Sequence, residues 1–173
     1  MYDNPVGVAT NSPPFGWHLA NLRNYVNLTN VNVDSLKLGD YVVTSIGQGS
    51  GLHGLPGDYT PPSRFIRATA MVYAAQPVAD AVEGANLVFH ILNTVDIPMG
   101  ASVSKSADGS KYYDHTTWTT GHDVTNKIFY FRTYGNLTIR KIDMKALDFA
   151  APDVKRIEMM GGEPFLDVTK DAK

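Results

Sequence analysis

Two residues of this 173-residue chain stand where chemistry is within reach. Asn11 follows a short apolar run and precedes Ser12-Pro13-Pro14. Its amide lies beside a helix start, where N–H groups favour developing negative charge. The same place suits a capping or turn asparagine. Arg64 falls in the first turn of a helix that follows a glycine-rich loop. A cation there opposes the helix dipole. A residue set against its local preference calls for a partner elsewhere in the fold, although a surface salt bridge would satisfy it too. Arg67 lies three residues on and suits solvent equally well.

Other chemistry is thinner. The histidines are His18, His53, His90, His115 and His122. None forms an H-E-x-x-H pattern and no two share ligand spacing on one helix, so no metal site is expected. His90 reads as a partly buried core histidine, and His115 and His122 as solvated strand or turn residues. Gly47, Gly49, Gly51, Gly54 and Gly57 crowd one segment, yet the phosphate-loop pattern is missing. Glycines that let backbone pass close to another surface explain them better. Asn27-Leu28-Thr29 and Asn136-Leu137-Thr138 match the glycosylation triplet, a short pattern with no weight unless a secretory signal accompanies it.

The elements that must position these residues follow from periodicity and breakers. Residues 6–10 read as a strand. Ser12 reads as the cap of a helix over 15–28, with Trp17, Leu19, Leu22, Tyr25 and Val26 on its apolar face. Residues 41–46 suit a strand or a helix end alike, and 47–59 form a loop. Thr60-Pro61-Pro62-Ser63 opens a second helix that Pro77 ends. A third spans 78–95. Three β-rich runs follow, 113–120, 127–134 and 137–143, joined by short turns into an antiparallel meander. A last strand is expected near 157–160. Helices segregated from antiparallel strands make the fold class α+β, with helices covering one sheet face.

Composition narrows the function. The chain is 43% hydrophobic and 18% charged, with net charge −2. That is ordinary globular composition with no basic excess, so nucleic acid and anionic membrane surfaces are not expected partners. No apolar run approaches the roughly 20 residues that span a bilayer. There are no cysteines, which removes disulfides and cysteine catalysis from this chain itself.

The wording of the sequence adds a resemblance. Thr10-Asn11-Ser12-Pro13, Phe15 and Trp17-His18-Leu19-Ala20-Asn21-Leu22-Arg23-Asn24-Tyr25 resemble a signature of the choloylglycine hydrolase family, the penicillin V acylases and conjugated bile salt hydrolases. Gly54-Leu55-Pro56-Gly57-Asp58-Tyr59 and Ser63-Arg64-Phe65-Ile66-Arg67 resemble a second. His90-Ile91-Leu92-Asn93, the stretch from Tyr113 to Thr119, Asn126 to Tyr134 and Thr138-Ile139-Arg140-Lys141 extend the likeness almost end to end.

The resemblance implies an N-terminal-nucleophile hydrolase with an αββα sandwich, of which residues 1–173 would be a single partial domain, the C-terminal half. The family's nucleophile is a cysteine at the mature N-terminus, whose own α-amine serves as base. Asn11 matches the family's oxyanion-hole asparagine, and Arg64 the arginine beside the nucleophile. Trp17, Leu55 and Tyr59, with Leu52, are candidate substrate contacts, although core packing serves Trp17 as well. No metal or organic cofactor is implied. The nucleophile would lie in an N-terminal half that this chain lacks, so the isolated chain is expected to be inactive. The expected partners are a small N-acyl amide substrate, the missing half or a partner chain, and further copies of the chain. One subunit of a split amidase and a non-catalytic binding derivative are the alternatives. The wording favours penicillin V or a similar N-acyl amide over bile salts. It leaves the compartment open between bacterial cytoplasm and periplasm.

Overall fold

The computed structural model describes residues 3–171. It is α+β, with three α-helices and antiparallel strands. The described residues form two compact units, 3–77 with 93–95, and 78–92 with 96–171.

The first unit begins without the expected strand, since residues 6–10 pair with no other segment. The composition of this run favours a strand, but a ladder needs a paired segment, and the described residues give it none. Its order comes from side chains instead, with Asn4 Nδ2 donating to the Val8 carbonyl at 3.1 Å. Helix α1 spans Phe15–Leu22 and passes into a 3-10 turn at Arg23–Tyr25, ending earlier than its periodicity predicts. Pro14 occupies the N-cap position and no side chain caps the helix, so Ser12 does not play that part. Strands β1 (Leu36–Leu38) and β2 (Tyr41–Val43) pair as a small hairpin, and a 3-10 turn at Ser50–Leu52 interrupts the glycine loop. Helix α2 spans Pro61–Ala74.

The core of this unit is Val8, Phe65 and Ile66, flanked by Phe15, Leu19, Leu22, Tyr25, Leu28 and Leu55. The inward stripe of α1 therefore starts at Phe15 and runs through His18, Leu19 and Leu22. That is one helical face at steps of three and four. Trp17 and Val26 lie off this stripe, 46% and 85% exposed. His18 takes the place the periodicity offered Trp17. It is wholly buried, its ring centroid 4.9 Å from that of Phe65.

The second unit contains all but the last residue of α3 (Ala81–Asn93), the hairpin β3 (Ser102–Lys105) with β4 (Lys111–Asp114), and the meander β5 (Trp118–Asp123), β6 (Ile128–Thr133) and β7 (Asn136–Asp143). The run expected over 113–120 is thus divided between two sheets. Residues 157–160 form no strand. In the meander Thr119 faces Arg132 and Gly121 faces Tyr130. Helix α3 covers that side: a Cβ on Gly121 would sit 3.6 Å from the Phe89 ring, and the Arg132 guanidinium lies 5.7 Å over the same ring. One sheet face is covered by helix, as expected. Asn136 is buried by its own turn, accepting from the Thr138 amide at 3.0 Å and donating to the Glu163 carbonyl at 3.1 Å. His90 is exposed rather than part of the core, because Phe89 takes the inward position.

The glycine loop gives a sharp test of packing. A Cβ at Gly51 would overlap the backbone carbonyl oxygens of Val31 and Thr29, whereas nothing lies within 4 Å of one at Gly47. Gly51→Ala should lower stability by about 3 kcal/mol, the upper end for overpacking. Gly47→Ala should change it by less than about 0.5 kcal/mol. Urea melts of the two variants check this, and equal effects would contradict the packing described.

Candidate functional site

The first unit brings Asn11 and Arg64 together across 53 residues of sequence. Arg64 Nη2 donates to Asn11 Oδ1 at 2.7 Å, and Arg64 Nε donates to the Tyr59 carbonyl at 3.1 Å. The Thr10 hydroxyl also donates to Asn11 Oδ1, at 3.3 Å. With both bonds on the oxygen, the orientation of the amide is fixed. The Nδ2 protons point away from Arg64 and meet no acceptor among the described residues. An amide held by its oxygen with its N–H groups unspent is what oxyanion stabilisation requires.

Arg64 has found its partner elsewhere, and that partner is not a carboxylate. Among the described residues the ion pair observed is Arg132–Asp96 at 3.2 Å, in the other unit. Arg64 binds two carbonyl oxygens and keeps its full positive charge unneutralised by a close anion. A half-buried cation in that state favours negative charge developing nearby.

The loop before α2 explains how Arg64 is held. Thr60 is the N-cap residue of α2 but its side chain makes no capping bond, and Asp58, two residues earlier, ties the start of the helix together. Its Oδ1 accepts from the Thr60 amide at 2.9 Å and from the Thr60 hydroxyl, and its Oδ2 accepts from the Ser63 hydroxyl at 2.6 Å. Pro61 and Pro62 open the helix and remove two N–H groups that would otherwise need partners. These bonds, the one from Ser63 foremost, hold the Asp58 carboxyl down at about 2, below its ordinary 3.8.

Arg67, which the sequence offered to solvent, is buried. It is 7% exposed, with Nη1 donating to the carbonyls of Pro56 at 2.8 Å and Asp58 at 2.6 Å, and Nε donating to that of Thr94 at 2.8 Å. Burial pulls its pKa down, yet a guanidinium so placed stays charged. The available signal was position. Arg67 follows Phe65-Ile66 directly, on the face that packs inward, beside a loop whose carbonyls have no sheet to pair with.

The other candidates are dispersed. Leu55 packs against the core, Trp17 stands half exposed at the edge of the His18 ring, and Tyr59 lies 6.0 Å from the Arg67 guanidinium. A cavity of about 490 Å³ in this unit takes Leu52, with Val6, Leu22, Ile66 and Tyr73, but not Trp17, Leu55 or Tyr59. Among the described residues, no group of three or more His, Cys, Asp or Glu gathers as a metal site, and no helix is long and apolar enough to cross a membrane.

Comparison with known proteins gives a consistent result. A family model of linear amide C–N hydrolases, the choloylglycine hydrolase family, matches residues 1–157. A bile salt hydrolase/transferase of Clostridium perfringens is 40% identical over 159 residues, 90% of this chain and 46% of that protein. The Bifidobacterium longum bile salt hydrolase/transferase is 32% identical over 155 residues, 89% of this chain and 47% of that one. A variant of the conjugated bile acid hydrolase from Clostridium perfringens superimposes with a TM-score of 0.77 at 40% identity, covering 91% of this chain and 46% of that one. Penicillin V acylase from Agrobacterium tumefaciens does so at 0.57 with 26% identity, covering 81% of this chain and 36% of that one. The chain spans about half the length of the curated relatives it matches.

The Asp58 carboxylate sets a pH dependence. Its folded pKa is depressed, so its contribution to stability is present above the ordinary value of 3.8 and is lost as pH falls from there through about 2. The stability difference between wild type and Asp58→Asn, from thermal melts across that window, should therefore shrink as acid is added. A difference that stays constant would show that the carboxylate's bonds to Thr60 and Ser63 do not carry this stability.

Proposed function

Because the chain belongs to the choloylglycine hydrolase family of linear amide C–N hydrolases, we propose that it supplies the oxyanion-binding side of an amidase active site whose nucleophile rides on another segment of polypeptide. One observation carries this reading: Arg64 holds Asn11 by its oxygen and leaves the amide protons unpaired. The chain contains no cysteine, and the family's chemistry needs one, so the thiolate must come from elsewhere. Five buried hydrophobics (Val8, Phe65, Ile66, Phe89 and Phe131) are few among the described residues for a chain of this length. Leu36, Leu38, Tyr41, Leu137 and many others remain exposed. Further polypeptide covering such surface fits the same reading.

The chemistry is acyl transfer in two steps. The thiolate attacks the amide carbonyl and the carbonyl oxygen becomes an oxyanion. Asn11 Nδ2 donates to that oxygen, and the uncompensated charge of Arg64 favours both the thiolate and the oxyanion. The carbon–nitrogen bond breaks, the amine departs with a proton relayed by the N-terminal amine, and an acyl thioester remains. Water then adds to the thioester, the carbon–sulfur bond breaks, and the free acid and thiol are restored. Trp17, Leu55 and Tyr59 stay candidate substrate contacts. Conjugated bile salts are the first substrates to assay, ahead of penicillin V. The relatives at 32% and 40% identity are named for bile salts, and the penicillin V acylase stands at 26%.

Fusing this chain behind the N-terminal half of the Clostridium perfringens relative provides the test. The fusion should release amine from a conjugated bile salt while the 173-residue chain alone does not. Asn11→Ala in the fusion should lower kcat by about 10²–10³-fold, the usual loss for one oxyanion donor. Turnover by the isolated chain, or an Asn11→Ala fusion as fast as its parent, would refute the assignment.

A further inference from the structure

We propose that Arg67 is a positioning residue for this site: by gripping the loop of residues 56–58 it aims the Tyr59 carbonyl that holds Arg64, and through Arg64 it sets the Asn11 amide. This rests on the reading of Asn11 and Arg64 as oxyanion donor and supporting cation. The links are continuous and short. Arg67 Nη1 joins the carbonyls of Pro56 and Asp58, while Nε reaches Thr94, 27 residues away in sequence. The next carbonyl in the loop, that of Tyr59, accepts from Arg64 Nε at 3.1 Å, and Arg64 Nη2 then reaches Asn11 at 2.7 Å. Each contact is an oriented N–H donor on a planar group, so direction passes along the chain as well as distance.

The geometry requires arginine. Three carbonyls accept from Nε and Nη1 of one planar guanidinium, whose Nη2 is buried without a partner among the described residues, and an ammonium cannot span the same three acceptors. Gly57 lies inside the gripped loop and Gly54 before it takes a φ of +95°. This backbone has little stiffness of its own, and the fork supplies what glycine withholds. Arg67 lies on the buried side of α2 and Arg64 one helical turn before it, so one helix carries both the brace and the residue braced.

The test needs no catalysis. In ¹⁵N-labelled 173-residue chain, the Arg64 Nε–H and Asn11 Nδ2 signals report the two bonds directly. Arg67→Lys should keep a cooperative melt and the backbone signals of α2. It should nonetheless speed exchange of the Arg64 Nε proton by about fivefold, the equivalent of one lost hydrogen bond, and move the Asn11 side-chain pair. Unmoved Arg64 and Asn11 signals in a folded Arg67→Lys chain would overturn the proposal. If that variant does not fold, Arg67→Gln, which keeps one donor, takes its place. Loss of folding in both would make Arg67 a staple of the whole unit and end the positioning claim.

In the fusion enzyme, Arg67→Lys should lower kcat by about 100-fold with little change in KM, as misplacement of a catalytic group does. Signals that move while the Asn11→Ala fusion keeps full activity would leave the brace intact and refute only the oxyanion reading.

Discussion

The first unit depends on a charge it has buried. A guanidinium out of water is costly unless its protons are satisfied, and Arg67 satisfies most of its own with three backbone carbonyls. Those carbonyls belong to a proline–glycine loop and to the residue after α3, which have no ladder of their own. The loop needs donors and the arginine needs acceptors, so each makes the other tenable. From that exchange follow the direction of Tyr59, the reach of Arg64 and the orientation of Asn11.

The electrostatics of the site follow the same economy. Asp58 is the carboxylate closest in sequence to Arg64, yet its two oxygens are occupied by Thr60 and Ser63 at the start of α2. The negative charge is used where the helix dipole favours it. The positive charge of Arg64 stays open to whatever anion the reaction develops. A direct Asp58–Arg64 pair would have been an ordinary surface ion pair worth under about 1 kcal/mol, and it would have cancelled the field the site needs.

Much of this was legible in the residues. The start of α2 at Pro61-Pro62 and the last two strands of the meander read correctly, because local propensity and tertiary structure agree there, and Arg64, set against its helix dipole, does find a partner elsewhere. The failures have common causes. Residues 6–10 have strand composition but no pairing neighbour, and pairing is not a local property. Trp17 outranked His18 by hydrophobicity, though phase on the helix, set by Phe15 and Leu19, decides which side chain turns inward. Arg67 looked solvated because charge is the strongest surface signal in a sequence, and the carbonyls that accept it lie 9, 11 and 27 residues away. The link between Asn11 and Arg64, at a separation of 53, had no local mark at all.

The most direct measurement is a double-mutant cycle on kcat of the fusion enzyme with Asn11→Ala, Arg64→Met and the two combined. Because Arg64 both orients the Asn11 amide and lends its charge, removing it should cost clearly less after Asn11 is gone than before, and the double variant should be faster than the product of the two single losses predicts. Losses that multiply independently would contradict the coupling. Arg64 would then act on the reacting groups by its charge alone, and its bond to Asn11 would not be the organising contact of the site.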